Sequence, residues 1–136
     1  MVPKFRVWDE TQHKMLQVDC IDFIDGKAYW VEASPADGNV QGGNDGPIGD
    51  NRLLKLEQYT GLKDANGDDI YENDLVSLDP DDAPYQVIFD EGKFELDNDY
   101  LGIVYDLSET HMDCDIVGNV HTNPELLEAQ HDTRTD

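Results

Sequence analysis

The chain has 136 residues, of which 31 are Asp or Glu and 9 are Lys or Arg, so its formal net charge is −22 at pH 7. The length fits one domain, and the charge excludes a direct nucleic-acid binder and a protein that docks on anionic lipid, because both need a basic surface. Aromatic residues make up 9% of the chain and lie in short apolar runs, which excludes a disordered acidic tail and predicts a folded, soluble protein.

The amino-terminal part predicts a meander of short antiparallel strands. Residues 3–8 and 15–20 have strand-like patterns, and Asp25-Gly26 predicts a tight hairpin turn before residues 28–31 return. Residues 33–50 follow with five glycines, two prolines and no apolar periodicity. This composition predicts a flexible loop.

The remainder of the chain continues the pattern of short strands and turns. Residues 52–60 fit either a strand or a helical turn, and Asn66-Gly67 predicts a hairpin turn. Further strands are predicted within residues 70–78, 85–89, 93–96, 100–107 and 115–120. Asn123 as N-cap and Pro124 at the first helical position predict a short terminal helix over residues 124–129, before a disordered tail at residues 130–136. The fold class is therefore mainly β, with a small barrel-like or sandwich core.

The negative charge is concentrated in the middle of the chain. Residues 64–115 hold 17 acidic residues and one basic residue, Lys93, whereas residues 1–63 hold 10 acidic and 7 basic residues. Three explanations remain open. The acidity reflects a host whose proteins are all acidic, or it forms a surface for a basic partner, or it binds divalent cations.

Motifs for chemistry are weak. Asp64, Asn66, Asp68 and Glu72 resemble a calcium loop, but the glycine and the last glutamate fall out of register, so a hairpin turn is the prediction. His111, Cys114 and His121 lack the paired spacing of a zinc site, and no nucleophile motif is present. We therefore predict no catalytic residue, no cofactor and no metal, with a metal-dependent enzyme as a minor alternative.

The start of the chain lacks the apolar run of a secretory signal, and no stretch is long and apolar enough to span a membrane. Cys20 and Cys114 lie far apart in sequence and are expected to be small, partly buried thiols of a cytosolic protein. The expected location is the cytoplasm.

Three segments in order resemble the YopX family, whose small proteins occur largely in bacteriophages and prophages. They are residues 3–9 (PKFRVWD) with Lys14-Met15, residues 58–76 (QYTGLKDANGDDIYENDLV) and residues 116–128 (IVGNVHTNPELLE). The resemblance implies one mainly β domain over residues 1–129, a phage or prophage origin and an oligomeric state, but no activity. The family usually has Gly where Asn73 stands, which implies positive φ at this position.

Residues 33–50 and 80–114 depart from the family pattern, so much of the excess charge lies outside it. We predict a non-enzymatic accessory protein that engages a basic host or phage protein through the acidic region 79–115. The alternative is a self-assembling structural oligomer. The candidate surface comprises eight acidic residues: Asp79, Asp81, Asp82, Asp90, Glu91, Glu95, Asp97 and Asp99.

Overall fold

The computed structural model describes residues 4–35, 42–49 and 51–127. Its contacts group the chain into two compact units, residues 1–58 and 59–136. The first unit contains strands β1 (Phe5–Asp9), β2 (Lys14–Ile24), β3 (Lys27–Ser34) and β4 (Asn44–Pro47), together with the first part of β5 (Leu54–Lys63). The strand β5 is continuous and its second part belongs to the second unit.

The strands of the first unit are antiparallel neighbours in the order β4-β3-β2-β1-β5. Asp25 and Gly26 have φ of 52° and 78° in the turn between β2 and β3, which confirms the predicted hairpin. The core consists of alternate apolar side chains from several strands, because successive residues of a strand point to opposite faces. Its buried members are Val7, Leu16, Val31, Ala33 and Leu54.

The predicted loop over residues 33–50 is wrong in part, because β4 lies within it and pairs with β3 from Trp30↔Pro47 to Ala33↔Asn44. The sequence of β4 has little strand propensity, so tertiary contacts decide its conformation. A Cβ at Gly43 would lie 2.8 Å from the backbone oxygen of Ala33, and one at Gly46 would lie 3.3 Å from Leu54 Cδ1. Residues 36–41 and 50 of the predicted loop lie outside the described residues.

In the second unit, β5 pairs with β6 (Asp69–Tyr71), and a second sheet contains the remaining strands in the order β10-β9-β8-β7-β11. These are β7 (Asp74–Ser77), β8 (Tyr85–Asp90), β9 (Lys93–Asn98), β10 (Ile103–Asp106) and β11 (Asp115–Asn119). The buried core contains Ile70, Val76, Tyr85, Val87, Leu96, Leu107 and Cys114. The mainly β prediction is confirmed, and within the described residues neither sheet closes into a barrel.

The predicted strand over residues 100–107 is shorter in the structure. Asp106 ends β10 and caps a short helix, α1 (Leu107–Thr110), since its Oδ1 accepts from the Ser108 backbone N–H at 3.0 Å. A 3₁₀ turn follows at His111–Asp113. Buried Leu107 anchors the helix in the core of the second unit. Because a strand that ends at this position would also bury Leu107, the sequence pattern did not reveal the helix.

The predicted terminal helix begins where expected. Glu125, Leu126 and Leu127 are helical, and the Leu127 N–H donates to Pro124 O at 3.0 Å. The Asn123 backbone oxygen accepts from the Leu126 N–H at 3.1 Å, and its side-chain Oδ1 accepts from the Asn119 N–H at 3.2 Å. Residues 128–136, including the predicted tail, lie outside the described residues.

Candidate functional site

Three of the eight predicted surface residues, Asp79, Asp81 and Asp82, lie in the exposed turn that joins β7 to β8. The Asp79 Oδ1 accepts from the Asp81 N–H at 2.9 Å, and the Asp79 backbone oxygen accepts from the Asp82 N–H at 3.0 Å. Such local bonds fold the chain back on itself, a common use of Asp in turns. The turn therefore holds three carboxylates in solvent at one end of β8.

The other end of β8 is a two-residue hairpin turn formed by Glu91 and Gly92. Their φ values are 52° and 84°, the positive values that such a turn requires. Asp90 pairs with Lys93 across the turn, and both Asp90 and Glu91 are exposed. These two predicted surface residues are separated from the first three by the length of β8, about 17 Å at ~3.4 Å per residue.

One face of β9 carries Lys93, Glu95 and Asp97 in alternation. Lys93 Nζ lies 3.7 Å from Glu95 Oε2 and 3.4 Å from Asp106 Oδ2 on the neighbouring strand β10. The contact with Asp106 raises the pKa of Lys93. Hydrogen bonds from Ser108, reinforced by Lys93, lower the pKa of Asp106. Lys93 thus balances the acids at the hairpin end of this face.

Asp97 lies farther along the same face and has acidic neighbours. Its partial burial, followed by the nearby carboxylates of Asp99 and Glu95, raises its pKa above 3.8. The carboxylate of Asp99 is therefore close enough to disfavour ionisation of Asp97.

The turn and the end of β9 lie beside each other, since Asn98 Nδ2 donates to Ala83 O at 3.2 Å. We call the carboxylates at this end the open-end cluster: Asp79, Asp81, Asp82, Asp97 and Asp99. Five of the predicted residues are thus brought to one end of the β8–β9 hairpin, Asp90 and Glu91 lie at the other, and Glu95 lies between them.

Apolar side chains missed by sequence reasoning are exposed on the strand beside this cluster. Val104 is 52% exposed and lies opposite Asp97, while Tyr105 is 40% exposed and lies opposite buried Leu96. The Tyr105 ring contacts the Tyr85 ring in a tilted arrangement, with centroids 5.7 Å apart. Only the strand register shows that Val104 and Tyr105 lie beside the acidic residues of β9. The sequence alone does not show it, because an apolar strand at the edge of a sheet has the same sequence pattern as an apolar strand at the centre of a sheet.

Other candidate groups of the sequence have structural partners. Asp64 is buried, and its Oδ1 accepts from the N–H groups of Asn66 and Asp68, each at 2.9 Å, while its Oδ2 accepts from Ile116 N–H at 3.0 Å. Burial raises the pKa of Asp64, but these bonds outweigh it and the net pKa lies below 3.8. Its Oδ1 thus stabilises the turn at Asn66-Gly67, and its Oδ2 joins this turn to β11.

The candidates His111 and Cys114 also make structural hydrogen bonds. His111 Nδ1 lies 2.8 Å from Lys63 O, and the buried Cys114 thiol donates to His111 O at 3.3 Å. Burial, followed by the charges of Asp64 and other nearby acids, raises the pKa of Cys114 to about 11. Cys20 is exposed rather than partly buried, and both thiols are free. Among residues 4–35, 42–49 and 51–127, no group of three or more His, Cys, Asp or Glu residues is arranged to hold a metal ion.

Among its described residues, the first unit includes an open cleft of about 340 Å³ and another of about 600 Å³. The smaller is lined by residues that include Thr11, Arg52 and Leu54, and the larger by residues that include Phe5, Cys20 and Phe23. Neither is lined by a residue of the predicted acidic surface. In the part of the chain that the structure describes, no helix has both the length and the hydropathy needed to cross a membrane.

Comparison with known proteins identifies relatives over most of the chain. The family model described as YopX protein matches residues 4–128. A crystal structure of protein EF1440 from Enterococcus faecalis is similar with a TM-score of 0.65 and 25% identity, covering 93% of this chain and 99% of that one. The crystal structure of yopX from Bacillus subtilis has a TM-score of 0.56 and 24% identity, covering 91% of this chain and 95% of that one. No curated protein matches significantly.

Proposed function

The chain belongs to the YopX protein family, and on that basis we propose that it is a non-enzymatic interaction module that engages a basic partner protein through its acidic surface. The proposal includes an origin in a phage or prophage and action in the cytoplasm of the bacterial host. The observation that carries it is the open-end cluster, five carboxylates of which four, Asp79, Asp81, Asp82 and Asp99, are exposed.

The unfavourable placement of neighbouring carboxylates in the open-end cluster supports the proposal that a basic partner binds there. Asp97 and Asp99 lie close together, although burial and then the charge of Asp99 raise the pKa of Asp97. A like-charge pair that is held in place by the fold loses its repulsion when a cation binds, so a basic partner gains more than it would at isolated carboxylates. The charge also steers such a partner to the surface, while it repels nucleic acid and anionic membranes.

Affinity capture from a bacterial lysate at low salt tests the proposal with three proteins. The first is the unchanged chain, and the second carries Asp81→Asn, Asp82→Asn, Asp97→Asn and Asp99→Asn. The third is a matched control in the first unit, with Asp19→Asn, Asp22→Asn, Asp25→Asn and Glu32→Gln, all at exposed positions. The expected result is one or more basic proteins retained by the first and third proteins and lost from the second. Equal retention by all three, or retention of no basic protein, contradicts the proposal.

A second candidate function, self-assembly, is favoured by a specific feature of the first unit. The β2–β3 hairpin extends beyond β1, which pairs with β2 only from Lys14 to Gln17. Phe23 and Ile24 near its tip are 58% and 55% exposed. Clustered apolar groups of this kind favour contact with another apolar surface.

Light scattering coupled to size exclusion tests self-assembly. We expect a discrete oligomer that dissociates in the double variant Phe23→Ser, Ile24→Ser. The control variant Leu53→Ser alters another exposed apolar residue of the same unit, which is 61% exposed, and should leave the oligomer intact. A monomer at micromolar concentration contradicts this candidate and leaves the interaction proposal unaffected.

A further inference from the structure

The strand β10 is an edge of the second sheet. Among the described residues its only paired strand is β9, from Ile103↔Asn98 to Asp106↔Glu95. In an antiparallel pair, every second residue directs its N–H and C=O away from the partner strand. The outer side of β10 therefore offers backbone groups that can pair with an additional strand.

The two faces beside this edge differ in chemistry. On one face, Val104 and Asp106 lie opposite Asp97 and Glu95 of β9. On the other face, Ile103 and Tyr105 lie opposite Asn98 and Leu96, and the Tyr105 ring is 40% exposed. One face is thus acidic and the other apolar and aromatic.

We propose that β10 accepts an extended segment of the basic partner as an added strand, in which Lys or Arg alternates with apolar residues. This inference rests on the proposed function and specifies how the partner binds. Side chains of an added strand alternate between the two faces, so basic residues meet the carboxylates while apolar residues contact Tyr105.

The distances allow this arrangement. A side chain of the added strand lies about 9.6 Å from β9, which is two strand spacings of ~4.8 Å. A Lys or Arg stem spans most of this distance and covers the apolar side chain of Val104 while its charged end reaches Asp97 and Asp99. Lys93 contacts Glu95 and Asp106 at the end of the acidic face that lies near the β8–β9 turn. Because Lys93 balances these acids, the basic residues of the segment lie toward the open-end cluster at the other end of the face.

Charge complementarity favours an extended basic segment, rather than a second copy of the chain, as the strand added beside β10. Pairing two β10 strands would bring two acidic faces together, each with Asp97 and Asp99 already in mutual repulsion. The second copy would bring the acids of its own residues 64–115, where 17 acidic residues accompany a single basic one. An alternating basic segment instead neutralises the face and contributes the missing backbone partners.

Fluorescence anisotropy with synthetic peptides tests the inference on the full chain. The probe is a labelled peptide of about eight residues, long enough for one strand, with alternating Lys and Val. Two further peptides carry N-methyl groups on either the odd or the even amides, so they keep every charge but lose alternate N–H donors. A fourth has the same composition with the Lys and Val residues in separate blocks.

We expect the alternating peptide to bind and one of the two methylated peptides to bind at least about tenfold more weakly than the other, because only one set of amides faces β10. The block peptide should also bind more weakly. Asp97→Asn with Asp99→Asn should weaken binding about tenfold, while the control Asp19→Asn with Asp22→Asn should not.

Equal affinity of the two methylated peptides overturns strand addition, and so does the absence of binding by the alternating peptide. If the methylated peptides bind equally but the Asp97 and Asp99 substitutions still weaken them, the acidic surface of the proposed function stands and only the docking mode is wrong. If the two control substitutions weaken binding as much as the Asp97 and Asp99 substitutions, the site is misplaced and the inference is overturned.

Discussion

Two buried carboxylates, Asp9 and Asp64, organise turns in their respective units. Asp9 accepts from the N–H groups of Thr11 and Gln12 and from the side-chain amides of Gln12 and Asn44, at 2.6 to 3.1 Å. Burial raises the pKa of Asp9, but these donors outweigh it and the net pKa lies below 3.8. Asp64 follows the same logic with backbone donors. A chain this acidic therefore also uses carboxylates as internal anchors.

These anchors make the fold sensitive to acid. The pKa of Asp64 in the folded state lies below its ordinary value of 3.8, so its contribution to stability is complete above the unfolded pKa and is lost as pH falls through the folded pKa. We expect Asp64→Asn to lower the free energy of unfolding at pH 7 by about 1–3 kcal/mol and to flatten the loss of stability below about pH 4. Urea unfolding between pH 7 and pH 2 measures both effects.

The matched control for this prediction is Asp68→Asn, which neutralises an exposed carboxylate of the same turn. It should leave the stability at pH 7 within about 0.5 kcal/mol of the unchanged protein. If Asp64→Asn leaves the stability at pH 7 and its decline at acid pH unaltered, the three hydrogen bonds to this carboxylate do not contribute to the stability of the fold.

Ionisation of Asp97 affects the stability of the fold in the opposite direction to ionisation of Asp64. The pKa of Asp97 is raised, chiefly by burial and then by Asp99 and Glu95, so its ionised form is disfavoured in the folded state and stability falls as pH rises through the folded pKa. We expect Asp97→Asn to raise the free energy of unfolding at pH 7 by about 0.5 kcal/mol. Chemical denaturation measures this change, with Asp81→Asn as the control at an exposed position. A destabilised Asp97→Asn protein contradicts the assignment.

The residue scale also shows what a sequence can reveal about a single position. The family resemblance implied positive φ at Asn73, and the structure confirms it with φ of 68°. The role of Asp64 was not predictable in the same way, because one of its donors, Ile116 N–H, lies 52 residues away in sequence. Local conformation leaves a mark on residue choice, whereas a distant hydrogen bond does not.

At the scale of elements, β11 depends on a close approach between backbone and side chain. The register between β11 and β7 shifts between Ile116 and Gly118. A Cβ at Gly118 would overlap the side chain of Asn123, whose Oδ1 accepts from the Asn119 N–H. Glycine at this position therefore lets the chain bend into the turn that precedes residues 124–127.

Gly118→Ala should consequently destabilise the protein by about 1–3 kcal/mol, the usual cost of inserting a methyl group into occupied space. Asn123→Ala in the same chain should recover part of this loss, since it removes the overlapping atoms. Thermal unfolding of the two single variants and the double variant measures the coupling. Strictly additive effects would show that the two side chains do not conflict.

Elements were predictable where turn chemistry is local. Asp25-Gly26 and Asn66-Gly67 marked hairpins, and Gly67 has the positive φ, 85°, that its turn requires. The strand β4 and the helix α1 were missed for different reasons. The conformation of β4 depends on pairing with β3, and α1 is only four residues long, so neither leaves a clear periodic pattern.

At the scale of the whole molecule, the sequence located the excess charge but not its arrangement. Counting acids identified the region, yet counting cannot separate Asp90 and Glu91 from the open-end cluster. The separation follows from the register of β8 and β9, in which Asp90 pairs with Lys93 and Gln86 with Asp97. The exposed Val104 and Tyr105 complete the candidate site, and only strand pairing places them beside it.

The central claim is that the open-end cluster is the contact surface for a basic partner. The most direct measurement is the affinity of a captured basic protein for the unchanged chain, determined by titration calorimetry at low and at high salt. We expect affinity to fall as added salt shortens the screening length from about 30 Å to about 8 Å.

In the same titration, the variant with Asp81→Asn, Asp82→Asn, Asp97→Asn and Asp99→Asn should bind at least about tenfold more weakly at low salt and respond little to added salt. The control variant with four substitutions in the first unit should behave like the unchanged chain. Equal affinity and equal salt dependence in all three proteins would contradict the claim.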